Sequence, residues 1–253
     1  MPFPTNSPNH FLLSLSDMDR NLIFPHLKPV TIPGETIIFK VEDTIERVYF
    51  PHSGIISLIV GLRTGQFVEA GMLGRNGVIG AGAALDGQIA LNTAIGQADG
   101  AGTMIEASVL KRAAVESETL RFALVRQEHV LAAQTQQVAA CNALHELEER
   151  LSRWLLQSRD LLNSDTLPLT QEFLAQMLGV QRSSVTLVAR KLQEVGLIRY
   201  RRGRIHVIDV EGLQDSSCEC YDAINTHFSK LIGWSPNVPA HDPATHKTDS
   251  PPL

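Results

Sequence analysis

The stretch LTQEFLAQMLGVQRSSVTLVARKLQEVGLIRYRRGRIHV, residues 169–207, decides the fold. Thr170 is a good N-cap, since its hydroxyl can satisfy a backbone N–H left free at a helix start. Leu174 and Leu178 follow at helical spacing, and Ala175 leaves room for a second helix to cross closely. Gly179 suits the left-handed conformation that ends a helix. A second helix starts near Gln181, carries Val185, Val188 and Leu192 on one face, and stops at Gly196. Two short helices on so tight a turn form a helix-turn-helix, and the residues after Gly196 form a basic two-stranded hairpin.

Charge gives this geometry a purpose. From Arg182 to His206 the cations are Arg182, Arg190, Lys191, Arg199, Arg201, Arg202 and Arg204, against the single acid Glu194, in a chain of net charge −5. Where positive charge clusters matters more for binding a polyanion than the total. With Val185, Val188 and Leu192 packed inward, Arg182, Ser183, Thr186 and Leu187 point outward, where a recognition helix meets base edges. The competing reading is a pair of core helices beside a solvated hairpin. It leaves the agreement of helix spacing, glycine turn and local charge reversal unexplained.

The 253 residues, 43% hydrophobic, suit two domains better than one. No apolar run is long enough to cross a membrane, and MPFPTNSPNH has no basic residue ahead of its first apolar stretch, so neither a membrane span nor a secretory signal is expected. Cys141, Cys218 and Cys220 are too few for a disulfide framework, which fits a reducing cytoplasm. Cys218-x-Cys220 has no nearby further ligand in sequence, so metal is not expected there, and Cys141 reads as a small buried hydrophobe. No nucleophile–base pair or phosphate loop points to an enzyme.

From Val30 to about Glu106, short apolar runs broken by Gly and Pro predict a small antiparallel sandwich or barrel. Ser16 caps a short helix before it, reaching about Leu27. A long helical region follows Glu118, is broken near Asn142–His145, and reaches Leu162. Leu124, Leu131 and Val138 recur every seventh residue, with Gln134 and Cys141 between them, which predicts a seam for a second copy of the chain. A last helix is placed around Cys220–Leu231.

A strand-rich roll, a long dimer-forming helix and a winged helix-turn-helix together resemble the Crp/Fnr family of bacterial transcription regulators, over about Ser14 to Asp209. The resemblance implies an α+β chain with an N-terminal antiparallel, cyclic-nucleotide-binding-like β-roll, a long dimerisation helix and a C-terminal winged helix-turn-helix. The corresponding divisions are a flexible arm at 1–12, the roll as sensor domain at 13–117, the dimerisation helix at 118–144, the DNA-binding domain at 145–212, a C-terminal helix at 213–234 and a disordered tail at 235–253.

It also implies a homodimer on pseudo-palindromic double-stranded DNA, with half-sites ~34 Å apart, and RNA polymerase as a further partner. Family members read bases with an Arg early in the second helix, the next residue and one a turn later: here Arg182, Ser183 and Leu187. The last two depart from the common pattern, so a different operator is expected. Thr186 adds to the base contacts. Thr170, Gln171, Ser184, Arg190, Arg201, Arg202 and Arg204 are candidates for phosphate.

Cyclic-AMP-binding members carry Gly-Glu and Arg-Ser/Thr in the roll. The matching positions here are Gly80-Ala81 and Asn92-Thr93, both lacking the charged group, while Arg75 lies on the wrong side. Control by cyclic AMP is not expected, nor any cofactor. The runner-up from another class is a ligand-sensing or interaction module whose basic hairpin binds a protein or RNA.

Overall fold

The computed structural model describes residues 9–236; most of the expected tail, and residues 1–8 of the expected arm, lie outside them. Residues 9–12, assigned above to the arm, are instead tied down. Asn9 caps a short helix, α1 (His10–Ser14), and its amide donates to Pro51 O at 2.8 Å and Gly77 O at 2.9 Å. Phe11 and Leu12 are buried behind it. A five-residue helix in a polar, proline-rich stretch has too little periodicity to be read from sequence. Ser16 then caps α2 (Asp17–Ile23), which gives way to a 3-10 turn at Phe24–His26.

Seven strands follow: β1 (Lys28–Ile32), β2 (Ile37–Phe39), β3 (Arg47–Pro51), β4 (Ile55–Gly61), β5 (Phe67–Leu73), β6 (Thr93–Ala98) and β7 (Gly100–Glu106). They make two antiparallel sheets, β1-β7-β3 and β2-β6-β4-β5. The run 77–80, inside the Val30–Glu106 stretch expected to form strands, contributes only a single bridge from Ile79 to Tyr49. A 3-10 helix at Ala81–Leu85 follows.

Helix α3 (Ala107–Glu116) leads into the 27-residue α4 (Glu118–Leu144). After the break at His145 comes α5 (Leu147–Leu162), opened by a reciprocal capping box between Glu146 and Glu149. The helix-turn-helix is α6 (Gln171–Leu178) and α7 (Arg182–Glu194). The wing has three strands rather than two: β8 (Thr166–Leu167) pairs with β10 (Arg204–Val207), which pairs with β9 (Ile198–Arg201). Two residues of β8 are too few to show a period. A short α8 (Val210–Asp215) precedes α9 (Cys220–Ile232).

One apolar core runs from the sheet β2-β6-β4-β5 through Val130 and Val138 of α4 and Trp154 of α5 to Leu174, Val185 and Leu192 of the helix-turn-helix. Trp154 marks the joint between the two halves: its indole N–H donates to Glu69 on β5 at 2.9 Å. Burial pushes the Glu69 carboxyl up to about 7, although contacts with Ser57, the Arg153 charge and the Trp154 indole favour its ionised form. A second core holds α1, α2, α3 and the N-terminal part of α4 against β3 and β7.

The seam expected on α4 has to be redrawn. Leu124, Gln134, Val138 and Cys141 are buried in the chain's own interior, and Leu131 packs against Gly71 of β5. Gln134 donates to Met72 O at 3.2 Å. Side chains so occupied leave only the half-buried Leu131 any surface for a second copy. The exposed stripe of α4 is Phe122, Val125, His129, Ala132, Gln136, Ala139 and Ala143, spaced alternately by three and four residues. That is the spacing of a coiled-coil seam. Phe122 is 51% and Val125 46% exposed.

Candidate nucleic-acid interface

Local chemistry builds the helix-turn-helix as the sequence suggests. The Thr170 hydroxyl accepts the Phe173 N–H at 3.1 Å, closing the first turn of α6. Gly179 ends that helix at φ 65° and donates to the Ala175 and Gln176 carbonyls. A Cβ at Gly179 would also lie 3.3 Å from Val68 on β5, so the turn is seated against the roll.

Val185, Ala189 and Leu192 form the buried face of α7, with Val188 half-buried. Ala189 was not singled out in the sequence, although its position completes the inward stripe at helical spacing. Arg182, Ser183, Thr186, Leu187 and Arg190 are exposed, and Ser184 is half-buried at the edge. Leu187, at 70% exposure, is a large apolar side chain with no cover on a polar face. Arg182, Thr186 and Arg190 make one stripe at four-residue spacing, with Ser183 and Leu187 beside it.

Thr186 is not free. Its hydroxyl sits 2.7 Å from Gln171 Oε1 and 3.0 Å from Arg182 O, tying the two helices of the motif together. It must give up such a bond to reach a base. Gln171 is thereby oriented at the start of α6, with its own NH2 available.

Four arginines form the wing face. Arg199, Arg201, Arg202 and Arg204 are exposed, and among the described residues none has a carboxylate partner. The hairpin turns on Arg202 and Gly203, at φ 50° and 72°. Positive φ at both central residues gives the tight turn that matches strand twist, and it puts the Arg202 side chain at the tip. The other three cations are partly neutralised: Arg182 lies 3.9 Å from Glu172, Arg190 lies 2.8 Å from Glu194, and Lys191 pairs with Glu148. Exposed pairs of this kind are weak, ~0.2–1 kcal/mol each, and exchange readily for phosphate.

In the roll, Gly80 takes φ 82° and opens the 3-10 turn, but the turn is lined by the buried methyls of Ala81, Ala83 and Ala84. The Gly82 N–H donates to the Glu128 carboxylate of α4, whose pKa burial raises and this hydrogen bond lowers. The hydroxyl of Thr93 accepts the Val41 N–H at 3.2 Å. The chain therefore supplies its own acid to a backbone donor beside the glycine turn.

A further cluster lies where α4, α5 and α9 meet. The sequence reading left the three cysteines apart and without a metal role. In the structure the ligand atoms of Cys141, His145, Cys218 and Cys220 all fall within 4.8 Å of one another. The cysteines are reduced and buried. The Cys141 thiol is held well below its usual value, chiefly by the hydrogen bond from Cys218, with help from the Arg153 charge and from hydrogen bonds of His145 and Arg153. The hydrogen bond with Cys141, and then burial, push Cys218 the other way.

Residues 149–216 match the Crp-like helix-turn-helix domain. No curated protein matches the chain. Many solved structures do. A Crp/Fnr-family regulator from Eubacterium rectale aligns with TM-score 0.62 and 20% identity, over 80% of this chain and 96% of that one. FixK2 of Bradyrhizobium japonicum aligns with TM-score 0.66 and 16% identity, over 76% and 98%. CLP of Xanthomonas campestris, described as a c-di-GMP-responsive global regulator, aligns with TM-score 0.63 and 17% identity, over 77% and 100%. The chain thus carries a Crp-like helix-turn-helix and, over about 80% of its length, has the fold of a solved Crp/Fnr-family regulator. Among the described residues no helix is long and apolar enough to cross a membrane.

Proposed function

We propose that this chain is a sequence-specific regulator of transcription that binds double-stranded DNA as a homodimer, without control by cyclic AMP. One observation carries the reading. The N-terminal face of α7 presents Arg182, Ser183 and Leu187 to solvent beside a wing of four arginines that have no carboxylate partner among the described residues, on a Crp-like helix-turn-helix. Arg182 is the guanine reader, able to pair bidentately with O6 and N7. Leu187 offers a contact to a thymine methyl and no hydrogen bond. The wing arginines, with Thr170 and Gln171 at the start of α6, hold the phosphates on either side.

A second copy docks along the exposed stripe of α4, burying Phe122 and Val125 at one end and allowing close approach at Ala132, Ala139 and Ala143. Two recognition helices then face one side of the duplex, and RNA polymerase is the natural downstream partner. Independence from cyclic AMP follows from the missing charges at Ala81 and Asn92 and from Glu128, whose carboxylate would repel a phosphate at the donor it now occupies.

The test is a gel-shift series on a bound promoter fragment with Arg182→Ala and Arg202→Ala. Loss of the guanine pair costs roughly 1–3 kcal/mol at one base position only. Loss of a wing arginine weakens binding to all sequences alike and lowers the salt slope by about one. Unchanged sequence preference in Arg182→Ala would refute the assignment of α7 as the reading helix.

A further inference from the structure

The three cysteines and His145 need an explanation that DNA binding does not give. Cys141 belongs to the last turn of α4, and His145 is the residue at which that helix ends, its N–H still bonded to the Cys141 carbonyl at 3.1 Å. Cys218 lies in the loop before α9, and Cys220 is the first residue of α9. Folding brings together groups 77 residues apart in sequence. The Cys141 and Cys218 sulfurs are 3.5 Å apart, and Cys220 Sγ is 3.5 Å from His145 Nδ1.

We infer that these four side chains form a mononuclear, four-coordinate site for a divalent transition ion, with zinc the expected occupant.

Four arguments converge. The first is size. With Zn–S bonds of ~2.3 Å, a tetrahedral ion holds its sulfur ligands ~3.8 Å apart. A group in which every pair lies within 4.8 Å fits around one ion with small adjustments. An iron–sulfur cluster, whose ligands sit on different irons, needs them spread more widely. The second is ligand type: three thiolates and an imidazole are a zinc donor set, and four protein ligands leave no open position, as in structural sites.

The third is the outer shell. His145 turns Nδ1 toward the sulfurs, while Nε2 lies 3.2 Å from the Glu219 carboxylate. A carboxylate on the far nitrogen is what fixes the tautomer and orientation of a metal-bound histidine. Gln137 donates to Cys220 Sγ at 3.1 Å.

The fourth is charge. Three thiolates around a divalent ion with a neutral imidazole carry a net −1. Arg153 is 2% exposed, has no carboxylate within ion-pair distance among the described residues, and its Nε has no hydrogen-bond partner. A buried cation with no carboxylate in ion-pair contact is costly, and an anionic site beside it supplies a close counter-charge. Binding releases the thiol protons to solvent.

The position suggests the role. The ion would staple α9 to the end of α4 at the break before α5, so that the DNA-binding half is held against the long helix. Arg150 extends the link: it donates to Asn142 Oδ1 at 3.1 Å and to the Leu178 carbonyl, at the end of α6, at 2.6 Å.

The experiment uses the full chain, expressed in zinc-supplemented medium and purified anaerobically. Elemental analysis should find about one zinc per chain. Exchange with Co2+ should give the thiolate charge-transfer and intense visible bands of a tetrahedral site. Cys218→Ser should lose the metal. Glu219→Gln, which leaves all four ligands in place, should keep the fold and weaken zinc binding roughly 10–100-fold. Metal-free wild-type protein that also fails to develop the cobalt spectrum would overturn the proposal. So would full zinc retention in Cys218→Ser, or a Cys141–Cys218 disulfide in the anaerobic protein.

Discussion

Replacing Glu69 by Gln should stabilise the protein at neutral and alkaline pH and leave it nearly unchanged at pH 5. Glu69 is wholly buried, and its carboxyl sits at about 7 in the fold against an ordinary 4.5. Its surroundings agree with a bound proton. The Ser57 hydroxyl lies 2.6 Å from Glu69 Oε2 and 2.7 Å from Gln97 Oε1, two acceptors for one hydrogen. A protonated Glu69 resolves the conflict by donating to Ser57, which then donates to Gln97.

Because the folded-state pKa is raised, the fold holds the proton more tightly than the unfolded chain does. The contribution is fully present below about 4.5, falls as pH rises, and has been lost by about 7 and above. Between pH 5 and 8 the loss is on the order of 2–3 kcal/mol. Gln keeps the acceptor for Trp154, donates to Ser57, and does not titrate. Urea unfolding of both proteins at pH 5, 6, 7 and 8 should show the difference growing by that amount. A difference independent of pH, or a Gln variant less stable at pH 8, would refute the assignment of a proton to this joint between roll and α5.

Two other predictions concern assembly and signal. Val125→Glu with Ala132→Glu should give folded monomers by sedimentation, whereas Val138→Glu, inside the core, should lower stability by several kcal/mol, ~3 or more for an unpaired buried charge; dimers that survive the first pair would contradict the exposed seam. Calorimetry with cyclic AMP should show no binding to the wild type, and micromolar affinity would contradict the role given to Ala81, Asn92 and Glu128.

The helix-turn-helix was legible because its signals are local: a cap at Thr170, a glycine at 179, helical spacing of apolar residues, and seven cations against one acid between residues 182 and 206. The face of α4 left open to solvent was not, because α4 has two faces with a seven-residue recurrence. The one buried inside the chain, with Leu124, Leu131 and Val138, is the more apolar, while the exposed one dilutes Phe122 and Val125 with His, Gln and three alanines. Hydrophobicity alone picks the face that a helix packs on its own domain. The cysteine site was hidden by sequence separation. Cys141 and His145 share a helix face at four-residue spacing, and Cys218 and Cys220 form a pair, but only the packing of α9 on α4 joins them. The i, i+4 Cys–His pair was the available signal.

The most direct test of the account is selection of bound sequences from random duplex DNA by the full-length protein, followed by footprinting of the winners. The expected winner is an inverted repeat whose half-sites lie about one helical turn apart, each with a guanine whose importance disappears in Arg182→Ala. Recovery of no preferred sequence, or of a single half-site bound by one chain, would contradict it.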